Sequence, residues 1–254
     1  MPPVNPAFGQ GFGAGESPHP LVGYALVWRD EFDGFVIDPK KWAPWRLGKR
    51  REAMNVASAA RLDGNGFCHL TTRWARLSNG KREVQSGGIW TEGTYMPRYG
   101  YFEARIKFHS QPGHWAAFWL NCLDMGQPPF DPKGGVEMDI VEFHHKLGGG
   151  NEVVQTVHWN GYGELLKSKG KTVPLAKPHE DFHVYGLLWE PEGYRFYVDG
   201  RETFRVGKED GAVISSRPQH IILSMEVGPW AGSISDAILP DGMTVDWVRH
   251  WQRR

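Results

Sequence analysis

Hydrophobic side chains recur at every second position through much of this chain, which is the period of a β-strand. In the stretch YFEARIKF, Phe102, Ala104, Ile106 and Phe108 share one face, and mainly polar residues lie between them. The stretches HIILSMEVG and MTVDWVRHWQ have the same character, and helical periodicity is hard to find anywhere. Many strands with one polar face predict an all-β fold, an antiparallel β-sandwich or jelly roll, in which a polar and aromatic sheet face lines a groove.

Turn signals separate these strands. The chain contains 32 Gly, and one hairpin can be read directly from the stretch YRFYVDGRETFRV. Tyr194, Phe196 and Val198 alternate up to Asp199-Gly200, a dipeptide that suits a type I′ turn, and a second strand follows. We therefore predict two antiparallel strands joined by a two-residue turn at this dipeptide.

The length of 254 residues is enough for one large all-β domain or two small ones. Residues 1–20 are rich in Pro and Gly without periodicity, so we predict a flexible leader there. Neither a linker-like stretch nor a fixed-period repeat follows, and residues 21–254 are predicted to form a single domain. The start lacks a charged segment followed by an apolar one, so it does not read as a signal peptide.

The charge balance argues against two classes of partner. Lys plus Arg and Asp plus Glu number 29 each, giving a formal net charge of +0, whereas nucleic acids and anionic membranes attract an excess of positive charge. No apolar run approaches the roughly 18 residues that a membrane-spanning helix needs. The two cysteines, Cys68 and Cys122, lack metal-ligand spacing. Whether they pair is open, and buried free thiols are the interpretation we prefer.

Three acids stand in the strongly β-prone stretch GGVEMDIVEF: Glu137, Asp139 and Glu142. In a strand, Glu137 and Asp139 point to the same face, but Glu142 would point to the opposite, apolar face. Burying an unpaired carboxylate there would cost several kcal/mol. One extra residue at Ile140-Val141, a β-bulge, returns Glu142 to the face of the other two acids, and bulges re-aim side chains beside active sites in this way.

The predicted bulge has a consequence for chemistry. It leaves Glu137 and Glu142 about four strand steps apart, roughly 13 Å between Cα atoms. Their carboxyl groups, leaning inward, can come about 5–5.5 Å apart, the separation expected of a retaining glycosidase. Asp139 lies between them, where it can hydrogen-bond Glu137, and crowding of like charges pushes carboxyl pKa values apart.

Two other interpretations of these acids are a solvated helix face and a metal site. A helix with the pattern E-x-D-x-x-E would have a solvated acidic face, but the preceding Gly-Gly is a poor helix start and the following IVEF is β-branched and aromatic. A metal site would draw on His144 and His145, which follow directly. Adjacent histidines in a strand point to opposite faces, so both cannot join the acids.

Ordered blocks along the chain resemble glycoside hydrolase family 16, in the branch with a bulged E-x-D-x-x-E strand. EMDIVEF is preceded by blocks similar to the family's, YALVWRDEFDG, IDPKKW, SGGIWTEGTYMPRYGYFEARIKF and GHWAAFWLN, and followed by TVHWN, DFHVYGLLWEPEGYRFYVDG, IILSMEVGPW and MTVDWVRHWQ. The resemblance covers residues 27–252. It implies a concanavalin A-like β-jelly roll with an open concave cleft, and endo-acting, retaining hydrolysis of β-linked polysaccharide.

The resemblance also implies roles for the acids. Glu137 would be the nucleophile, Glu142 the general acid/base and Asp139 the assisting residue. Glu142 must be protonated while Glu137 is anionic, and its pKa should fall once Glu137 has become a sugar ester. His158, in TVHWN, occupies the place of a family histidine beside the acids, which implies an orienting or sugar-binding role. No cofactor is expected for catalysis.

Aromatic rings pack against the C–H faces of sugars, so tryptophans are candidate platforms, although core packing is the alternative for each of them. Trp115 and Trp119 are four apart in GHWAAFW and share a strand face. By resemblance, Trp115, Trp159 and Trp230 line the cleft, and Asn55 contacts the substrate unless it is an ordinary turn residue. The candidate substrate-binding residues are Trp115, Trp119, His158, Asn55, Trp159, Trp230 and Arg98.

A structural calcium ion is implied by the resemblance alone. Its ligands would be Glu31 in RDEFDG, the backbone carbonyl of Gly66, and Asp246 in VDWV, and oxygen donors from both ends of the chain suit Ca²⁺. Asp246 lies among apolar residues, where an unpaired charge would be costly, so some partner is expected. An Arg or Lys is the alternative partner.

The substrate follows less directly from the residues. The blocks SGG…YGYFEARI and EVGPW resemble laminarinases and favour β-1,3- or mixed-linkage glucan. The inserted loop CLDMGQPPFDPKGG and the ending EFHH depart from that pattern, so agar, carrageenan or porphyran hydrolysis is an alternative. Xyloglucan transglycosylation is disfavoured, because the relatives with that activity lack the inserted residue of the bulge. A non-catalytic carbohydrate-binding jelly roll would need the tryptophans but none of the acids. We expect a monomer, secreted or periplasmic by resemblance, with polysaccharide as its partner.

Overall fold

The computed structural model describes residues 23–126 and 134–254, and nearly all of its regular structure is β. The predicted leader, residues 1–20, lies outside the described residues. The strands within the described ranges are β1 (Tyr24–Asp30), β2 (Ala43–Pro44), β3 (Gly48–Arg50), β4 (Ala53–Asn55), β5 (Ala60–Leu62), β6 (Cys68–Arg76), β7 (Arg82–Trp90), β8 (Gly100–Lys107), β9 (His114–Asn121), β10 (Val136–His144), β11 (Glu152–Trp159), β12 (Lys167–Pro174), β13 (His183–Glu190), β14 (Gly193–Val198), β15 (Arg201–Gly207), β16 (His220–Val227) and β17 (Asp241–Arg253).

The helical segments that the structure describes are single 3₁₀ turns. They are Ala57–Ala59, Leu123–Met125, Leu147–Gly149, Lys208–Asp210, Pro229–Ala231 and Ile234–Asp236. Across residues 23–126 and 134–254, no helix is long and apolar enough to cross a membrane.

Two antiparallel sheets make up the sandwich. One sheet, which we call the site sheet, has the strand order β2-β7-β16-β9-β10-β11-β12. In the other, β17 pairs with β8 along one edge and with β1 and β6 along the other, and β8 continues into β13, β14 and β15. The predicted all-β antiparallel jelly-roll sandwich is confirmed.

The hydrophobic core lies between the two sheets. Phe102, Ala104 and Ile106 of β8 are fully buried in it, as their alternation predicts. They pack in one cluster with Phe143 of the site sheet and Phe196 of β14. Each fully buried Phe contributes about 1.5–3 kcal/mol of transfer free energy, so this layer of large side chains holds the site sheet in place.

The predicted hairpin is present. Strands β14 and β15 pair on either side of Asp199-Gly200, and both turn residues have positive φ angles, 50° and 77°. Positive φ at both central positions is the requirement of a type I′ turn. The thiols of Cys68 and Cys122 are both free and buried, as preferred from the sequence.

Two buried tyrosines allow a matched test of hydrogen bonding. The Tyr194 hydroxyl donates to the Val213 carbonyl at 3.1 Å and accepts from the Ser215 backbone N–H at 2.6 Å. The fully buried Tyr185 hydroxyl has no hydrogen-bond partner among the described residues. We expect Tyr194→Phe to lower the free energy of unfolding by about 1–3 kcal/mol, because it leaves a buried N–H unpaired, whereas Tyr185→Phe should be neutral or stabilising.

Urea unfolding of both variants measures this difference, read from the midpoint at constant m-value. Equal losses in the two variants would contradict the assignment, because the same atom is deleted from the same residue type at equal burial.

Candidate active site

The bulge predicted in β10 is present. On the β9 side, Asp139 lies opposite Trp119 and Val141 lies opposite Phe118, so Ile140 is the extra residue. The pairing with β11 slips between Asp139 and Glu142 as well. Across this stretch β10 therefore has one more residue than each of its two neighbours, and such an extra residue in one strand is a β-bulge.

The bulge sorts side chains between the core and the open face. Ile140 and Val141 are both fully buried in the core cluster, although they are neighbours in sequence. Glu142 is partly exposed and lies opposite Ala117, which packs with Trp119 on the open face of the site sheet. The third acid thereby shares the face of Glu137, as predicted.

Glu137 is held by two hydrogen-bond donors. The Asn121 side-chain amide donates to Glu137 Oε2 at 2.5 Å, and the Tyr162 hydroxyl donates to the same oxygen. Sequence reasoning missed both donors. Asn121 has the same strand parity as Trp115 and Trp119 and could have been found by it, whereas Tyr162 lies in a loop that has no periodic signal.

Asp139 is the most buried of the three acids, with 4% of its surface exposed. His158 lies opposite Glu137 on β11, and its Nε2 is 3.1 Å from Asp139 Oδ2. The predicted place of His158 beside the acids is confirmed. Glu137, Asp139 and His158 each offer one potential ligand atom, all within 4.8 Å of one another. One oxygen of each acid is already engaged, Glu137 Oε2 by Asn121 and Tyr162 and Asp139 Oδ2 by His158, so these groups form a hydrogen-bonded network.

Burial dominates the electrostatics of the site. Burial first, and the neighbouring charge of Asp139 second, raise the pKa of Glu142 to about 8, whereas His158 acts in the opposite direction. Burial, followed by the charge of Asp139, also raises the pKa of Glu137, and burial raises the pKa of Asp139. Three carboxyls in one desolvated site cannot all ionise at neutral pH, so protons are retained among them.

A cluster of one buried glutamate and two arginines lies further along the same face. Glu226 of β16, 6% exposed, accepts from Arg50 Nη2 at 2.8 Å and from Arg51 Nε at 2.7 Å. Glu226 lies opposite Trp115 in the β16–β9 ladder. The sequence contains no signal for this cluster, because the arginines and the glutamate are about 175 residues apart. It ties the β3–β4 hairpin to the site sheet.

The four tryptophans predicted to bind sugar lie in different surroundings. Trp119 donates from Nε1 to Ser224 Oγ at 3.0 Å on the open face. Trp115 packs against Trp230, with ring centroids 4.0 Å apart, and Trp230 is 45% exposed. Trp159 was predicted wrongly. It lies in the core cluster with 5% exposure, because it directly follows His158 and so points to the opposite face of β11.

The other two candidates differ in their surroundings. Asn55 is 4% exposed, lies beside Ser86 of β7, and its Nδ2 has no hydrogen-bond partner among the described residues. Unpaired buried donors are uncommon in folded proteins, so Asn55 stays a candidate for contact with a ligand. Arg98 is exposed, donates to the Ser216 carbonyl at 3.2 Å and lies over Tyr99. These contacts place Arg98 in the turn before β8 and do not join it to the acids.

Arginines engage the carboxylates predicted to bind calcium. Arg249 donates to both carboxylate oxygens of Glu31, at 3.0 and 2.9 Å, and Arg105 pairs with Asp246. Gly66 has a φ angle of 88° and lies beside the Glu31 backbone carbonyl. Two carboxylates neutralised by arginine do not fit an ion that takes six to eight oxygen ligands. The calcium ion stays a prediction, and no step of the chemistry depends on it.

The geometry suits one class of chemistry. Burial raises the pKa of both glutamates, but Glu137 also accepts two hydrogen bonds on one carboxylate oxygen, and these favour the anion of Glu137 over that of Glu142. An anionic and a protonated carboxyl on one face of an open sheet are the pair required to attack and to protonate a glycosidic bond. Trp230, which is 45% exposed and packs on Trp115, supplies a surface on which a sugar ring can pack, whereas Trp115 and Trp119 are themselves buried, at 4% and 9% exposure.

Comparison with known proteins agrees with this geometry. The structure resembles the laminarinase catalytic domain of Thermotoga maritima MSB8, with a TM-score of 0.77 and 26% identity over 91% of this chain and 99% of that one. A beta-glucanase of Rhodothermus marinus is 29% identical over 92% of this chain and 86% of its own length. Beta-porphyranase B of Zobellia galactanivorans is 26% identical over 95% of this chain and 89% of its own length.

Other curated relatives are longer than this chain, which spans between 33% and 54% of the length of several of them. The family model "Glycosyl hydrolases family 16" matches residues 54–249, a range that includes all three acids of the bulged strand. Because that match extends over well more than half of the chain, the chain belongs to glycoside hydrolase family 16.

Proposed function

We propose that this protein is an endo-acting, retaining glycoside hydrolase of β-linked polysaccharides, with β-1,3- or mixed-linkage glucan as the preferred substrate. The observation that carries the proposal is the bulge at Ile140, which puts Glu137, Asp139 and Glu142 on one open sheet face. The relatives named beta-glucanase and laminarinase support the choice of glucan.

The reaction proceeds in two displacements. Glu137 attacks the anomeric carbon while Glu142 gives its proton to the departing glycosidic oxygen, so the glycosidic C–O bond breaks as the sugar ester forms. Water then attacks the same carbon, Glu142 takes its proton, and Glu137 leaves as the carboxylate. Once Glu137 is esterified, its negative charge is gone, which lowers the pKa of Glu142 and suits it to act as the base.

Asp139 and His158 support this cycle. Asp139 is buried between the two glutamates and 3.1 Å from His158 Nε2, so it can hold a proton that would otherwise neutralise Glu137. Asp139 is buried, whereas His158 is partly exposed, as the two glutamates are. Their role in the proposal is to set the charge of the nucleophile.

The experiment is reducing-sugar release from a panel of laminarin, barley β-glucan, agarose, porphyran and κ-carrageenan, with Glu137→Gln as the blank. We expect the wild type to release oligosaccharides of several lengths from one or both glucans, and the blank to release none. If the wild type releases no sugar from any polymer in the panel, the proposal is overturned.

A galactan is the second candidate substrate, because beta-porphyranase B is nearly as similar to this chain as the beta-glucanase is, 26% against 29% identity, and over as much of its length. Release from porphyran or agarose alone would favour it. A binding module without activity is the third candidate. It is disfavoured because crowding three carboxyls, each with a raised pKa, does nothing for binding a neutral sugar.

The proposed function has consequences for the location and the oligomeric state of the protein. We propose that it acts outside the cytoplasm, since long polysaccharides do not cross membranes intact, and that it acts as a monomer. Size-exclusion chromatography with light scattering tests the second statement, with an expected mass of 28.7 kDa.

The raised pKa of Glu142 predicts a basic limit on activity. Glu142 donates its proton only while it is protonated, and burial raises its pKa to about 8. We therefore expect kcat/KM for the preferred polysaccharide to fall above about pH 8, with one proton lost per active site. A profile measured from pH 4 to pH 10 checks this expectation. A basic limb near the ordinary glutamate pKa of about 4.3 would contradict it.

A further inference from the structure

We propose that Tyr162 and Asn121 are positioning residues for the nucleophile: together they hold Glu137 Oε2 and leave Glu137 Oε1 as the attacking atom. This inference rests on the proposed function, because it gives two further residues a role in the reaction of the Glu137 carboxylate. It arises from contacts that strand β9 and the loop after β11 bring to one oxygen.

The three side chains form a closed network. The Asn121 amide uses one N–H for Glu137 Oε2, at 2.5 Å, and the other for the Tyr162 hydroxyl oxygen, at 2.8 Å. The Tyr162 hydroxyl in turn donates its proton to Glu137 Oε2. Every proton of the set has an acceptor, and both donors converge on the same carboxylate oxygen. A carboxylate held by one oxygen keeps its other oxygen free for a substrate.

Each donor is itself fixed. Asn121, 6% exposed, ends β9 and lies opposite Glu137 on one side and His220 on the other. Tyr162 is 41% exposed, yet its backbone N–H donates to the Met125 carbonyl at 3.0 Å, so the loop is tied to the turn that follows β9. The phenol thus reaches in from an exposed loop whose position is set by a backbone bond.

The held oxygen changes its role during the reaction. When Oε1 bonds to the anomeric carbon and the glycosidic C–O bond breaks, Oε2 becomes the carbonyl oxygen of the ester. When water attacks that carbon, the C–Oε1 bond breaks, the electron pair returns to the carboxyl group, and Oε2 regains negative charge. Donors aimed at Oε2 stabilise this charge without moving, which favours release of the nucleophile and keeps it anionic before attack.

The charge of Glu137 is set by every group that faces it. Asp139 and Glu142 on its own strand disfavour the anion, His158 on β11 favours it, and the hydrogen bond from Tyr162 lowers the pKa of Glu137 against the larger effect of burial. Removing the phenol hydroxyl should therefore raise the pH below which the nucleophile becomes protonated. That direction distinguishes a positioning role from a purely structural one.

The test compares Tyr162→Phe and Asn121→Leu with the wild type on the preferred polysaccharide. We expect each variant to lose roughly 10- to 100-fold in kcat, with KM changed far less, as for a hydrogen bond to a charged group. We also expect the acidic limb of the pH profile to move upward by about one unit. The thermal midpoint and circular dichroism of each variant establish that it is folded.

Tyr24→Phe is the matched control, because it deletes a Tyr-to-Glu hydrogen bond of 2.7 Å, to Glu190, between β1 and the end of β13. It should leave kcat and the pH profile unchanged. Unchanged kcat and acidic limb in folded Tyr162→Phe would overturn the inference while leaving the proposed function intact. A kcat loss without any pH shift would assign Tyr162 to holding the loop and would equally overturn it. A wild type inactive on the whole panel would instead defeat the proposed function.

Discussion

Replacing Glu137 by glutamine should abolish hydrolysis, with a fall in kcat of roughly 10⁴-fold or more. The amide has nearly the shape of the carboxyl group but cannot form a stable ester with the sugar, so the first displacement has no nucleophile. A loss of that size corresponds to about 5 kcal/mol of transition-state stabilisation. The measurement is reducing-sugar release from the polysaccharide that the wild type degrades best.

The fold should survive this change. Burial raises the pKa of Glu137, so an uncharged amide is at least as well accommodated as the carboxylate at neutral pH. The Asn121 amide and the Tyr162 hydroxyl still find an acceptor in the glutamine carbonyl oxygen. Glu192→Gln, at an exposed position, is the control and should retain full activity. Substantial hydrolysis by folded Glu137→Gln would remove Glu137 as the nucleophile.

Replacing Glu142 by alanine should slow polysaccharide hydrolysis by about 10²- to 10⁴-fold, the range for removing a general acid/base. The size of the loss should depend on the leaving group. A dinitrophenyl β-glycoside of the matching oligosaccharide departs without protonation, so its first displacement should proceed at nearly the wild-type rate. The sugar ester then accumulates, because no base remains to activate water.

Azide supplies the decisive readout for this variant. As an anionic nucleophile it needs no base, so it should restore turnover of the activated substrate and yield a glycosyl azide with retained β configuration. The basic limb of the pH profile near pH 8 should disappear for the same substrate, since Glu142 produces it. Equal losses on activated and natural substrates would show that Glu142 is not the acid.

Much of the fold could be predicted because its signals are local. Alternation along β8 placed Phe102, Ala104 and Ile106 in the core, and Asp199-Gly200 identified the hairpin between β14 and β15. Even the bulge could be predicted without coordinates. The five-residue spacing of Glu137 and Glu142 puts a charge in the core unless one residue is inserted, and burying that charge unpaired is too costly.

Strand parity also accounts for two other residues of the site. The prediction for Trp159 was wrong, and Asn121 was missed, because parity was not applied to them. Trp159 directly follows His158, so strand parity assigns the two side chains to opposite faces, and the tryptophan packs in the core. Asn121 has the parity of Trp119 and could have been found beside Glu137 in the same way. Parity needs only the identity of the strand, which the sequence supplies.

By itself the sequence determined which segments are strands, which face each side chain takes and that three acids share one face, because these depend on a two-residue period and on the desolvation of charge. Only the tertiary structure decided which side chains meet those acids. Tyr162 reaches Glu137 across 25 residues, and Arg51 reaches Glu226 across 175. Such meetings depend on how loops and strands are placed in space, and no local period encodes that placement.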